Sequence, residues 1–275
     1  VKAAQQGLCS PPRTVAELGP GDSLGIGLTA LLTGTERYLA LDIVEYADMA
    51  AALPLLDELV ALVSARSPIP DDREFPEVKP PLKSYAFPSE IVTDDILARA
   101  LDARRVEAIR SCLRTSPDAP PFVRYVVPWM ADTVIERESV DLLFSQAVME
   151  HVDDLPATYR GMWNWLKPGA TCSHQIDFKS HGLTLAWDGY RGISRIGWKL
   201  LRGRRPYLIN RAPLSTHLAL LGECGFALLE VQPFRRPPEM PRSRLAEPFK
   251  DLGEFDRETA GAFIMARKLA ERRGA

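Results

Sequence analysis

Glu17, Gly19, Gly21 and Asp42 have the types and spacing of a binding site. Two glycines one residue apart let the backbone turn sharply and approach a ligand with no Cβ in the way. A carboxylate about 20 residues beyond such a turn, at the end of the next strand, can accept hydrogen bonds from two ribose hydroxyls. Glu17 adds a charge condition. Two residues before the first glycine, it would repel a pyrophosphate and attract an aminoacyl ammonium or a sulfonium. The glycine spacing also departs from G-x-G-x-x-G, because the third glycine, Gly25, comes one residue late.

These residues need a strand, a turn, a helix and a second strand to hold them. Thr14–Leu18 reads as the first strand, and Ser23 can cap a helix carrying Leu24, Leu28, Leu31 and Leu32 on one face. Tyr38–Leu41 is the second strand and ends at Asp42. A helix over Ala47–Val63 follows, with Pro54 expected to break or kink it. Ser67–Glu90 is rich in proline and charge, an irregular stretch that reads either as a lid or binding loop or as a solvated surface excursion. Asp94–Arg114 reads as helix, so residues 47–121 form an insertion between the second and third strands. The sheet resumes with Phe122–Val127 and Ser139–Ser145, and a helix carries Leu155, Tyr159, Met162 and Leu166. Lys167-Pro168-Gly169 ends that helix before a strand over Ala170–Asp177. A helix from Leu214, a strand over Phe226–Val231 and a last strand over Ala262–Ala266 complete the order.

The stretch Glu17-Leu18-Gly19-Pro20-Gly21 resembles motif I of the class I S-adenosylmethionine (SAM) methyltransferases. Asp141-Leu142-Leu143-Phe144-Ser145 leading into Val148-Met149-Glu150-His151-Val152 resembles the family's post-glycine motif. Trp165-Leu166-Lys167-Pro168-Gly169 before a strand is also characteristic of it. The motifs occur in the family's order. The resemblance covers residues 14–45 and 122–178, and more loosely Leu214–Val231. It implies a Rossmann-like, doubly wound α/β fold in one domain over residues 1–275. Its seven-stranded sheet would be mostly parallel, with the last strand antiparallel. It further implies methyl transfer from SAM to a small molecule. The aminoacyl end would rest on Glu17 and on the backbone of Gly19, Pro20 and Gly21, with the ribose on Asp42 and Ser145 at the carboxyl edge. Asp132 stands where the family often has an acid for the adenine amino group, and a surface turn residue is its other reading.

Three histidines fall near that edge. His151 follows Glu150 and is a base candidate or a packing residue that orients its loop. His174, Asp177 and His181 spell H-x-x-D-x-x-x-H, but a regular strand points residues three apart to opposite faces, so no metal site is expected from them. Asp177 and His181, beyond the strand end, can instead form a polar site for the acceptor. The catalytic candidates are thus His151, Asp177 and His181.

Residues 182–212 form a second, basic insertion. From Gly189 to Gly222 the chain has no Asp or Glu, and Arg191, Arg195, Lys199 and Arg202 recur at spacings that a helix would align. These cations suit an anionic acceptor, such as a phosphorylated or nucleotide-linked sugar or a lipid headgroup, with peripheral membrane contact through residues 191–211. A solvated helix face is the plainer reading. The net charge of −2 over 275 residues argues against nucleic acid. The four cysteines are scattered, with no C-x-x-C pair, which argues against structural zinc and a disulfide framework. No signal peptide or membrane-length run is visible, so a cytoplasmic enzyme is expected. Two other classes remain compatible with these residues: a nicotinamide-dependent oxidoreductase on the same architecture, and a non-catalytic scaffold that binds SAM or nothing.

Overall fold

Short apolar runs rich in branched residues alternate with amphipathic helices, a pattern that buries parallel strands between two helical layers. A computed structural model describes residues 1–7, 11–75, 79–115, 122–129, 135–205 and 207–269. Seven strands form: β1 (Thr14–Leu18), β2 (Arg37–Leu41), β3 (Val123–Val126), β4 (Val140–Gln146), β5 (Leu166–Asp177), β6 (Phe226–Arg235) and β7 (Thr259–Lys268). They lie in one sheet of order β3-β2-β1-β4-β5-β7-β6. Strands β1 to β5 pair in parallel, and β7 runs antiparallel to both β5 and β6. The chain reverses its winding between β1 and β4, and in open α/β sheets ligands bind at the carboxyl edge of that switch point.

The register sets what stands at that edge. Leu18 pairs with Leu41 on one side and Ser145 on the other, Leu41 with Val126, and Ser145 with His174. Gly19, Asp42, Gln146 and Gln175 therefore stand at one level, with β5 running two residues further to Asp177.

Helices cover both faces, after a one-turn helix α1 (Lys2–Gln5). On one face α2 (Gly25–Leu32), α3 (Met49–Ser64), α4 (Asp94–Ala100) and α5 (Ala103–Thr115) bury Leu28, Leu32, Leu56, Leu97 and Ile109 against Tyr38 and Val123. On the other, α6 (Leu155–Trp165) and α8 (Leu214–Glu223) bury Tyr159, Met162, Trp165 and Leu221 against Leu143 and Ile264. A third, smaller cluster of Tyr190, Trp198, Ile209, Leu245 and Phe249 anchors the segment containing α7 (Arg195–Arg202). The short helix α9 (Glu254–Glu258) precedes β7.

Four expectations are corrected. Helix α3 runs unbroken through Pro54, because the loss of one amide near its start is offset by the burial of Ala52, Leu56 and Val63 and by the Asp48 cap. The helix expected over Asp94–Arg114 divides at Leu101, where Asp102 accepts the amides of Arg104 and Arg105 and starts α5 anew. Strand β5 begins at Leu166, so Lys167-Pro168-Gly169 lies inside its irregular start rather than before it. Arg191 precedes α7, in a turn over Gly189–Gly192, and is 2% exposed. Its guanidinium donates to the carbonyls of Arg257 and Asp256, so it supports the fold and is not part of a cationic face.

Candidate functional site

Gly19 and Gly21 form the turn after β1, with φ of +64° and +73°. At Gly19 a Cβ would sit 2.6 Å from Val148 Cγ2, so this glycine also lets the β4 loop pack against the turn. At Gly21 a Cβ would meet nothing within 4 Å, which leaves its backbone open to a ligand. Asp42 stands beside the turn, 5% exposed. Its Oδ1 accepts the amide of Ile43, and the buried Oδ2 has no hydrogen-bond partner among the described residues. Burial raises the Asp42 pKa, opposed by backbone amides that include Gly21. A buried acceptor without a donor costs free energy until something supplies one. A ribose hydroxyl arriving over Gly21 would do so, and the residues present fit a nucleoside there.

Glu17 is buried, and its Oε2 accepts the Tyr38 hydroxyl at 2.5 Å. Burial pushes its pKa up to about 7 against that hydrogen bond, with the nearby Asp42 adding to the rise. Tyr38 is held in place by Gly27 of α2, where a Cβ would fall 2.0 Å from the ring. Glu17 therefore meets the turn from within the core, where a ligand's ammonium is the charge that would favour its ionised form. Pro20 lies between the two glycines, partly exposed. Asp132 lies outside the described residues.

Ser145 is not free to hold a cofactor through its hydroxyl. It is 2% exposed, and its Oγ is 2.8 Å from His174 Nδ1. His174 is fully buried, with its pKa pushed down to about 3 by burial. It does not converge with Asp177, consistent with the alternation of a regular strand.

The other three polar candidates come together. After β4 a tight turn over Met149–His151 presents Glu150 and His151, and after β5 the chain turns at His181, whose φ is +50°. His181 Nε2 lies 3.8 Å from Asp177 Oδ2 and 4.0 Å from Glu150 Oε1. The His151 and His181 rings meet edge to face with centroids 5.0 Å apart. Glu150 is 3% exposed; its Oε1 accepts the Asp177 amide at 3.3 Å, while Oε2 is buried without a partner. Burial, with Asp177 nearby, pushes its pKa up to about 8. Burial also lowers the pKa of His151, whose Nδ1 is 2.7 Å from the Tyr207 carbonyl. That carbonyl can only accept, so Nδ1 donates and Nε2 carries the lone pair.

Three residues essential to this arrangement were not singled out from sequence. Glu150 could have been, as the acid beside His151. Tyr207 and Asn210 lie in the basic insertion, where no motif or spacing marks them. Asn210 donates from Nδ2 to the carbonyls of Met149 and Val152 at 2.8 and 2.9 Å, and its amide donates to the Glu150 carbonyl. The Tyr207 phenol lies within electrostatic reach of Asp42 and Tyr46. The insertion thus closes over the edge between the glycine turn and the histidine cluster.

Residues 87–173, from within the first insertion into β5, match the family model of a methyltransferase domain. That segment carries the signature of a methyltransferase domain, and the sheet order around it is a Rossmann-like one. The glycine turn lies outside the matched residues, so its assignment rests on the sheet register and on Asp42. No curated protein sequence matches the chain. Among solved structures, a Galdieria sulphuraria protein described as a sarcosine dimethylglycine methyltransferase is similar in fold at 13% identity. The match covers 98% of this chain and 83% of that one, with a TM-score of 0.50. A SAM-dependent methyltransferase from Methanosarcina mazei matches at 14% identity, 98% of both chains and a TM-score of 0.49. One from Mesorhizobium loti matches at 16% identity over 94% of this chain and 92% of that one, with a TM-score of 0.47. The matched model is that of a methyltransferase domain, which favours the methyltransferase reading over the nicotinamide alternative. Among the described residues no helix is long and apolar enough to cross a membrane.

Proposed function

We propose that this methyltransferase transfers the SAM methyl to a hydroxyl of a small anionic molecule, held between the histidine cluster and the basic insertion. The observation that supports this most is the shared edge: the open Gly21 follows β1 and Asp42, with its unpartnered Oδ2, follows β2, while Glu150 and His151 follow β4 and Asp177 and His181 stand at and beyond the end of β5. SAM supplies an activated methyl on a sulfonium. Asp42 and the Gly19–Gly21 backbone hold its ribose and aminoacyl end. His151 and His181 orient the acceptor hydroxyl, and Asp177 takes up its proton as the new bond forms. Alignment of the acceptor at near-contact distance supplies most of the acceleration, so few side chains are needed.

The anionic character is supported by Arg195, Lys199, Arg204 and Arg205, all exposed on or just after α7. Arg202 ties α7 to the edge by its ion pair with Asp153. An arginine fork offers two donors at once to a phosphate or carboxylate.

Calorimetry with SAM, followed by labelled-methyl transfer to a panel of sugar phosphates, nucleotide-linked sugars and their neutral counterparts, tests the proposal. Methylation of an anionic member is expected, with KM raised at least several-fold in the double variant Arg204→Ala, Arg205→Ala while SAM affinity is unchanged. Preference for the neutral counterparts would overturn the charge assignment.

A further inference from the structure

The geometry points to a divalent transition-metal site formed by Glu150, His151 and His181, next to the methyl-transfer centre. The inference rests on the reading of this edge as the acceptor side. Each of the three residues offers one ligand atom, and the three atoms lie within 4.8 Å of one another. Ligands about 2.1 Å from a shared tetrahedral ion stand about 3.4 Å apart, so the widest separation needs to close by up to about 1.4 Å, within the reach of side-chain rotation.

Two further features belong to a metal site rather than to a chance meeting of polar groups. Glu150 is buried and its Oε2 has no hydrogen-bond partner, which is costly for a carboxylate unless a cation or donor meets it. His151 is already oriented as a ligand. Its Nδ1 is committed to the Tyr207 carbonyl, which fixes the tautomer and turns the Nε2 lone pair outward. Metal-bound histidines characteristically have such an outer partner. The backbone of the ligand turn is fixed as well, by Asn210 on the carbonyls at either end of it.

Two imidazoles and one carboxylate suit Zn²⁺ and neighbouring first-row ions, and three protein ligands leave a coordination position open. In this site the open position takes the acceptor oxygen. The ion lowers that oxygen's pKa, and Asp177, 3.8 Å from His181 and outside the ligand set, receives the proton. In the transfer the acceptor O–H bond breaks, the oxygen–methyl bond forms, and the electron pair of the methyl–sulfur bond stays on sulfur.

The test uses the full chain, stripped with chelator and titrated with Zn²⁺ by calorimetry, with Co²⁺ as a spectroscopic probe. One equivalent of Zn²⁺ is expected, with visible Co²⁺ absorption bands. His181→Ala and Glu150→Gln should each weaken Zn²⁺ binding at least tenfold. His181 is partly exposed and outside the core, so its variant should fold, and SAM affinity on the same preparation checks this. Absence of Zn²⁺ binding by wild type, or binding that survives His181→Ala unchanged, overturns the inference. Failure of the cofactor reading appears separately, as absent SAM binding.

Discussion

If Asp42 and Gly21 hold the cofactor as proposed, substitution should resolve separate contributions from the two. Asp42→Ala removes the acceptor whose Oδ2 is unpartnered in the free protein. SAM binding is expected to weaken by about 1–3 kcal/mol, while stability changes less, because removal of the unsatisfied Oδ2 offsets the lost bond between Oδ1 and the Ile43 amide. Gly21→Ala carries the strain of a left-handed residue, about 1–2 kcal/mol, and otherwise meets open space in the free protein. Its methyl projects where the ligand approaches, so affinity should fall further than stability. Gly19→Ala should differ from both, since the added carbon collides with Val148 and loosens the β4 loop even without ligand. Isothermal calorimetry beside urea unfolding distinguishes the three. Equal losses of affinity and stability in Gly21→Ala would mean that its backbone does not face the cofactor. The glycine turn and the place of Asp42 were legible in the sequence because they follow from local chemistry: a φ only glycine adopts easily, and a carboxylate at a strand end. Ser145 was misleading for the complementary reason. A serine at a strand end has no local feature to show whether its hydroxyl faces a ligand or, as here, a buried histidine on the neighbouring strand.

At the scale of elements, the turn over Met149–His151 depends on a residue far along the chain. Asn210 contributes three hydrogen bonds to it, two from its side chain and one from its amide. Asn210→Ala leaves the carbonyls of Met149 and Val152 without those donors and should cost about 1–3 kcal/mol. Because the turn carries Glu150 and His151, kcat should fall while the SAM dissociation constant stays the same. An unchanged kcat in a destabilised variant would separate the turn from acceptor handling. The β1–α2–β2 unit and the helices that cover the two faces could be read from periodicity, since each strand and helix announces its own buried face, whereas the mostly parallel sheet followed only from the family resemblance. The histidine cluster could not. Glu150 and His151 follow β4, His181 follows β5, and Tyr207 and Asn210 come from the basic insertion. Their meeting depends on loop paths through left-handed positions at His181 and Tyr207 that no period encodes. The burial of Arg191 was hidden in the same way. Its partners are the carbonyls of Asp256 and Arg257, and a carbonyl acceptor has no signature in residue type.

For the molecule as a whole, stability against pH is governed by two opposed sets of buried groups. His174 and His217 are both 0% exposed, and burial lowers their pKa values to about 3 and about 4 from 6.5. Each bonds through Nδ1 to a buried hydroxyl, Ser145 and Tyr159 respectively, and neither Nε2 has a partner among the described residues. The folded state therefore holds both rings neutral. Their contribution is complete above the unfolded pKa of 6.5. It declines as pH falls towards the folded values, because the unfolded chain takes up protons that the fold excludes, at up to about 1.4 kcal/mol per pH unit for each ring. Glu17 has the opposite sign. Its folded pKa of about 7 lies above the free value of 4.5, so its contribution is complete below 4.5 and is lost as pH rises through 7. Glu150, raised to about 8, acts in the same direction. Between pH 6.5 and 4.5 the two sets offset one another, and the wild-type stability should change little; below 4.5 only the histidine loss remains, and the protein should unfold steeply. Difference measurements isolate each group. His217→Gln keeps a partner for Tyr159 without a titrating ring, so its stability relative to wild type should improve by up to about 2 kcal/mol from pH 6.5 to 5. Glu17→Gln should move the other way over pH 7 to 5, losing ground to wild type as the wild-type carboxyl protonates. Urea unfolding at pH 7, 6 and 5, in chelator so that no metal ion contributes, measures both. Parallel curves for wild type and His217→Gln would mean that the ring titrates in the folded protein as it does in the unfolded chain, and that the buried neutral pair does not set the acid limit.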